Sequence, residues 1–436
     1  MFNYNKRFSK VTILGIIHLV LYSLFIIYAL FNKGIGNQVL PFIYFIIPNF
    51  GYRAPSITAK FRGTSFLPIP MRIMEIINYN SEFTNAYYLT DNIKPVGYVP
   101  YPAEKMIACH GYLYHLYDCY VGNKLVICDN YIYDFYNHDR RGEYTAGVRG
   151  QIHCAILVIK YWNTYGHNLH DLLATILLFP EEVLNKNPYI FHDWDNKLLE
   201  EHLDALGLFS IRIYPWQLEF VRCDELYYIH PREVAHEFTG YSLPKMHDMF
   251  RKRFKLDSII PTKYNMLNKK PTESRHFTNF VELQTELNAK YKPIQWNIIE
   301  MCNSLEEKGK QFAETLFLIA SGGSIVYHAL FMRERSSIVV FFADLVDLPD
   351  LSLICMLKMY GIGIQHQNMS HYQGSGTIYI NKTLDAVEKL MYTMKNGEYP
   401  YMKGYRPSYN TSVMKKRMYN NYNYRLGGEF NLPEIK

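Results

Sequence analysis

The stretch from Val11 to Phe31 contains no Asp, Glu, Lys or Arg and constrains the chain more than any other feature. As a helix it would be roughly 30 Å long, the thickness of a bilayer's hydrocarbon core. Lys6, Arg7 and Lys10 precede it and only Lys33 follows closely. The excess of positive charge on the N-terminal side predicts a cytosolic tail over residues 1–10, an anchor over 11–31 and everything else on the far side of the membrane. A cleaved signal peptide would have a shorter apolar region and a small-x-small site at its end. The sequence Tyr28-Ala29-Leu30-Phe31 offers no such site. Residues 32–60, with Gly and Pro, read as a stem.

The rest of the 436-residue chain can build a large core, since 49% of the whole is hydrophobic and 20% charged. The net charge of +6 is scattered. Arg251-Lys252-Arg253 and Lys415-Lys416-Arg417 are short and far apart, which argues against a nucleic-acid footprint. None of the seven cysteines forms a C-x-x-C pair, so a structural zinc site is not expected. On the far side of a membrane some of them would be open to disulfide formation. Sequons at Asn368, Asn381 and Asn410 agree weakly with a lumenal domain.

From about residue 151, strand patterns alternate with helix patterns. Ile152–Lys160, Tyr189–His192, Ser210–Tyr214 and Glu225–His230 read as strands, with helices at His167–Phe179, Asn196–Leu206 and 244–255. A second series has strands at Arg275–Phe277, Ile294–Ile299, Leu316–Ala320, Ser337–Phe342, Gly361–Gln365 and Thr377–Ile380. Its helices are predicted at Val281–Lys290, Leu305–Thr315, Ile325–Met332 and 383–396. Such alternation predicts an α/β fold with two Rossmann-like halves facing a cleft. The first half is assigned to 61–255 with an N-terminal extension, the second to 256–396, and a tail to 397–436.

Four constellations can carry chemistry. His167, His170 and Asp171 are spaced i, i+3, i+4 after a predicted strand, so on a helix they share a face. They suit a general base oriented by a carboxylate, and equally a polar helix start. Gly322-Gly323-Ser324 lies between a strand and a helix, where backbone N–H groups can meet a phosphate, or where Ser324 simply caps the helix. Arg275 opens the second series and can grip a diphosphate or lie on the surface. Asp193-Trp-Asp195 can hold a divalent metal, with Asp195 equally suited as an N-cap.

Taken in order, these motifs resemble the family 61 glycosyltransferases. The resemblance rests on Asn163…His167…His170-Asp171-Leu172-Leu173, Arg275-x-Phe277-x-Asn279, Gln311-Phe312 and Leu318-Ile319-Ala320-Ser321-Gly322-Gly323-Ser324, followed by His328-Ala329-Leu330-Phe331-Met332. It spans about residues 150–345. The chain departs from the family in having Gly322-Gly323 where members often carry His-Gly, and His328 where an Asn is frequent. The resemblance implies a GT-B arrangement and an inverting transfer from a UDP-sugar to a glycan or glycoprotein in the Golgi or endoplasmic reticulum. It also implies no cofactor and no essential metal. Arg275, Asn279, Gly322, Gly323 and Ser324 would then hold the donor diphosphate. His167 and Asp171, with His170 beside them, would face the acceptor. The alternatives are a catalytically inactive protein on the same fold and a metal-dependent GT-A transferase using Asp193 and Asp195.

Overall fold

The computed structural model describes residues 69–71, 86–90, 111–122, 125–128, 131–134, 148–158, 164–192, 196–208, 211–215, 220–231 and 239–407. Val11–Phe31, Asp193 and Asp195 lie outside them. Among the described residues no helix is long and apolar enough to cross a membrane. Cys119, Cys154, Cys223, Cys302 and Cys355 are thiols.

The elements, in chain order, are β1 (Ile69–Met71), β2 (Ala86–Leu89), β3 (Gly111–Gly122), β4 (Leu125–Cys128), β5 (Tyr131–Asp134), β6 (Val148–Leu157), α1 (Tyr165–His167), a π segment (Asn168–Leu173), α2 (Ala174–Ile176), α3 (Glu181–Leu184), β7 (Tyr189–His192), α4 (Asn196–Ala205), β8 (Arg212–Pro215), β9 (Phe220–Pro231) and α5 (Thr239–Arg253). They continue with β10 (Lys263–Leu267), β11 (His276–Phe277), α6 (Phe280–Lys290), β12 (Trp296–Ile298), α7 (Leu305–Ala313), β13 (Thr315–Ser321), a 3-10 segment (Ser324–Phe331), β14 (Ser337–Phe342), α8 (Leu348–Met356), β15 (Tyr360–Gln365), β16 (Ser375–Gly376), α9 (Ile380–Asn396) and β17 (Arg406–Pro407).

Two compact units form, and their division does not follow the expected 61–255 and 256–396 halves. The described part of the smaller unit lies within His115–Ala155 and Pro215–Leu226. Its strands run β5-β4-β3-β9-β6, with β4 antiparallel to both β3 and β5. These antiparallel ladders are not Rossmann-like. Leu116, Cys119 and Val121 are buried along β3, and the alternation slips by one at Asp118, which has φ 50°.

The larger unit contains a sheet ordered β12-β10-β13-β14-β15-β2-β17. Its pairs from β12 through to β2 are parallel. Counted from β10, the chain lays down a 2-1-3-4-5 order, the doubly wound pattern, with its switch point between β10 and β13. β14 and β15 are buried along their whole length, as parallel strands covered on both faces must be. Phe317, Ile319, Val339, Phe341, Ile362 and Ile364 point to one face, where Leu283 and Leu287 of α6 and Val387 and Leu390 of α9 close the core. Each such fully buried side chain contributes about 1.5–3 kcal/mol. α7 starts where Ser304 and Glu307 form a reciprocal capping box, with both hydrogen bonds at 3.2 Å.

Several expectations are corrected. The second series begins at β10, not at Arg275–Phe277, since β11 pairs only with β16 in a separate two-stranded ladder. β10 carries Asn265 in its middle, which breaks an apolar pattern but is satisfied by donating to Thr315 Oγ1 at 2.8 Å. Thr377–Ile380 is not a strand, because Ile380 already opens α9. β2 lies in the segment assigned to the first half yet pairs with β15, and the start of the tail adds β17 to β2.

Candidate active site

At the switch point, the loops leaving β10 and β13 meet. Gly322 N donates to Phe341 O at 2.8 Å, which bends the chain away from β13. Gly323 has φ 95°, a region costly for residues with a side chain. A Cβ at that position would run into the Arg275 guanidinium, so the Arg275 side chain lies directly over the turn. The cap of the following 3-10 segment is Gly323 and not Ser324, and no side chain caps it. Gly323 N instead donates to Asp350 Oδ2 at 2.6 Å.

Arg275 is held by its backbone. Its N–H donates to Gly374 O at 3.1 Å, and its φ of 66° is a left-handed conformation costing on the order of 1–3 kcal/mol. Its Nη1 stands 3.7 Å from Asp347 Oδ2, while its Nε is buried with no hydrogen-bond partner. Asp350 is fully buried, and desolvation, reinforced by Asp347, raises its pKa well above the usual carboxylate range. Asn268 ties the loops together. Its Oδ1 accepts from Phe277 N and from Ser321 Oγ, each at 3.1 Å, and its Nδ2 donates to Phe277 O at 2.7 Å.

Asn279 is not part of this cluster. Its amide is spent on the backbone of Ile378, accepting from the N–H at 2.7 Å and donating to the carbonyl at 3.2 Å. It therefore fastens the start of α6 to the segment leading into α9.

The second constellation sits on α1 and the π segment. His167 Nδ1 and His170 Nδ1 each lie 2.7 Å from Asp171, on Oδ2 and Oδ1 respectively. Asp171 and His170 are buried, with side chains 3% and 2% exposed, whereas His167 is 18% exposed. The buried carboxylate is thus compensated on both oxygens. With Nδ1–H donated to Asp171, the proton-accepting nitrogen of His167 is Nε2. His170 is a full member of the cluster, as the shared face leads one to expect, although the residues stand on a π segment and not on a regular α-helix. The ligand atoms of the three residues also lie within 4.8 Å of one another, close enough to share a cation.

One glycine brings the two constellations together. A Cβ on Gly166 would lie 3.2 Å from Ser324 Cα, Ser324 Oγ and Tyr327 Cδ2. The segment that carries the His–Asp cluster therefore packs on Ser324 of the Gly-Gly-Ser turn. Tyr327 packs its ring 5.2 Å from that of His170, and its hydroxyl is buried without a partner. Beneath them Tyr165, His328 and Phe312 form a stacked column, with centroids 4.9 and 5.2 Å apart. Burial pushes the pKa of His328 down to about 3, so it serves as a neutral ring in the core.

Sequence reasoning missed Lys269, Tyr327, Asp347 and Asp350. The strand-end rule would have reached Lys269 had β10 been recognised.

Residues 165–339, which hold both constellations, match the Glycosyltransferase 61 family model. No curated protein matches the chain. The family resemblance read from the motifs is borne out over these residues.

Proposed function

We propose that this glycosyltransferase moves a sugar from a UDP-sugar to a glycan or glycoprotein hydroxyl with inversion, without an essential metal. The observation that carries the proposal is the contact of Gly166 with Ser324, which sets a His–Asp base against a cationic glycine turn. His167 Nε2 takes the proton of the acceptor hydroxyl, and Asp171 steadies the imidazolium that forms. His170 fixes the carboxylate from the other side. Arg275, whose guanidinium lies over the Gly322–Ser324 turn, faces the departing diphosphate and stabilises its charge, while the N–H groups of Gly322 and Gly323 are spent on Phe341 and Asp350 and shape the turn. Anchoring by residues 11–31, with the catalytic part in the lumen of the Golgi or endoplasmic reticulum, belongs to the same reading. The exposed position of Asn368 in its sequon is compatible with that side of the membrane.

The test is UDP titration of the folded protein by calorimetry, beside its Arg275→Ala variant. Loss of the charge-assisted contact should cost about 1.5–3 kcal/mol, roughly ten- to hundred-fold in Kd. Equal UDP affinity in the two proteins would remove Arg275 from the donor site. The His167–His170–Asp171 geometry also admits a bound cation, and turnover that disappears with chelator and returns with a divalent metal would favour that second reading.

A further inference from the structure

The surroundings of Lys269 pose a question of charge. It lies two residues past the end of β10 at Leu267 and stands at the switch point, on the same loop as Arg275. Its backbone is pinned on both sides. Lys269 N donates to Asn268 Oδ1 at 3.0 Å, and Lys269 O pairs with His276 Nδ1 at 2.6 Å. Its side chain is half-buried, yet Nζ makes no hydrogen bond or ion pair among the described residues. The charged groups facing it are Arg275 and Glu273 on its own loop and Asp347 and Asp350 at the start of α8, with His371 on the loop after β15.

These groups do not neutralise one another. Glu273 is exposed. Asp350 is driven toward its protonated form, and Arg275 depresses His371 toward neutrality after desolvation has done so. That leaves two cations, Lys269 and Arg275, against the one carboxylate of Asp347, which already stands by Arg275. A half-buried positive surplus of this kind is stabilised by an anion.

We propose that Lys269 is a second diphosphate-binding cation, gripping the donor's pyrophosphate together with Arg275 at the carboxyl ends of β10 and β13. The inference rests on the donor-site reading above and adds a residue to it. Asn268 acts as a positioning residue, because it ties the Lys269 backbone, β11 and the end of β13 into one frame. Burial and the neighbouring Arg275 push the Lys269 ammonium down to about 8, so the clamp is charged at neutral pH and discharges just above it. Binding a diphosphate favours the protonated amine. Affinity is therefore full below that value and falls as the pH rises through it.

The experiment measures Kd for UDP and for uridine by calorimetry at pH 7 and pH 8.5. It uses the native protein and the Lys269→Gln, Lys269→Arg and Arg275→Ala variants, with melting temperatures recorded for each. At pH 7, Lys269→Gln should weaken UDP about ten-fold and leave uridine unchanged. Native affinity for UDP should fall up to about four-fold between the two pH values, the loss of charge expected for an amine titrating near 8. Lys269→Arg should bind UDP at both pH values alike, because a guanidinium stays charged. If Lys269→Gln does not fold, the pH arms of the native and Lys269→Arg proteins decide. Native-like UDP affinity in Lys269→Gln, with Arg275→Ala weakened, overturns the role of Lys269 alone. So does an equal fall with pH in the native and Lys269→Arg proteins. A native protein that does not bind UDP overturns the donor site as a whole.

Discussion

The His167–His170–Asp171 cluster and the Gly322–Ser324 turn touch each other, yet they differ in how complete they are. Both oxygens of Asp171 are taken by imidazole nitrogens at 2.7 Å. Around the turn, Arg275 Nε, Asp350 Oδ1, His371 Nδ1 and the Tyr327 hydroxyl are buried without hydrogen-bond partners. Buried polar atoms are normally paired, and a local concentration of unpaired ones marks a place where the protein alone does not finish the network. On the proposed reading, the His–Asp relay is assembled from side chains ahead of the reaction, and the unpaired groups around the turn are completed only by the phosphate.

The difference predicts opposite mutational signatures. The largest effect should come from the complete side. His167→Ala and Asp171→Asn should each reduce kcat at least about a hundred-fold, the lower range of general-base catalysis, while UDP affinity stays native. His170→Ala should also lower kcat, because it removes one of the two nitrogens on Asp171. Transfer rates per folded molecule check this, and full specific activity in both the His167 and Asp171 variants would reduce the cluster to a polar helix start. On the incomplete side, Gly323→Ala forces a side chain into a left-handed backbone and against Arg275. It should cost about 1–3 kcal/mol of stability by denaturant unfolding and weaken UDP at the same time. The smallest effect is expected outside both regions. Asn279→Ala should lose about 1 kcal/mol through its bonds to Ile378 and leave UDP affinity unchanged. A weakened Kd in that variant would return Asn279 to the donor site.

How much of this was legible depended on whether the signal was local. The strands Tyr189–His192 and Ser337–Phe342 appear where their apolar runs predict them. The Gly-Gly-Ser turn also stands between a strand and a helical segment, as read. β10 was hidden because buried Asn265 gives a polar letter to a central strand, and its satisfaction by Thr315 comes from 50 residues away. The pairing of Ala86–Leu89 with Gly361–Ile364 leaves no local trace at all. Within the site, the spacing of His167, His170 and Asp171 promised a shared face. It could not show that one carboxylate serves both rings, nor that Gly166 is the point where that face lands on Ser324. Asp350 belongs to no local motif, since it reaches Gly323 from 27 residues away, on α8, whose first turn holds Pro349.

The π segment Asn168–Leu173 lies between the contact at Gly166 and the apolar residues Ala174 and Ile176, which α2 buries. A π turn holds one residue more than an α turn, so this stretch carries a residue beyond what a regular helix between the same two ends would need. Removing one residue from it would let the segment relax to an α-helix, with Gly166 still on Ser324 and Ala174 and Ile176 still in the core. What would change is the wide turn between those ends, and that turn is where His170 and Asp171 stand. A shorter chain could thus keep the fold of this segment and lose only the arrangement of its polar side chains.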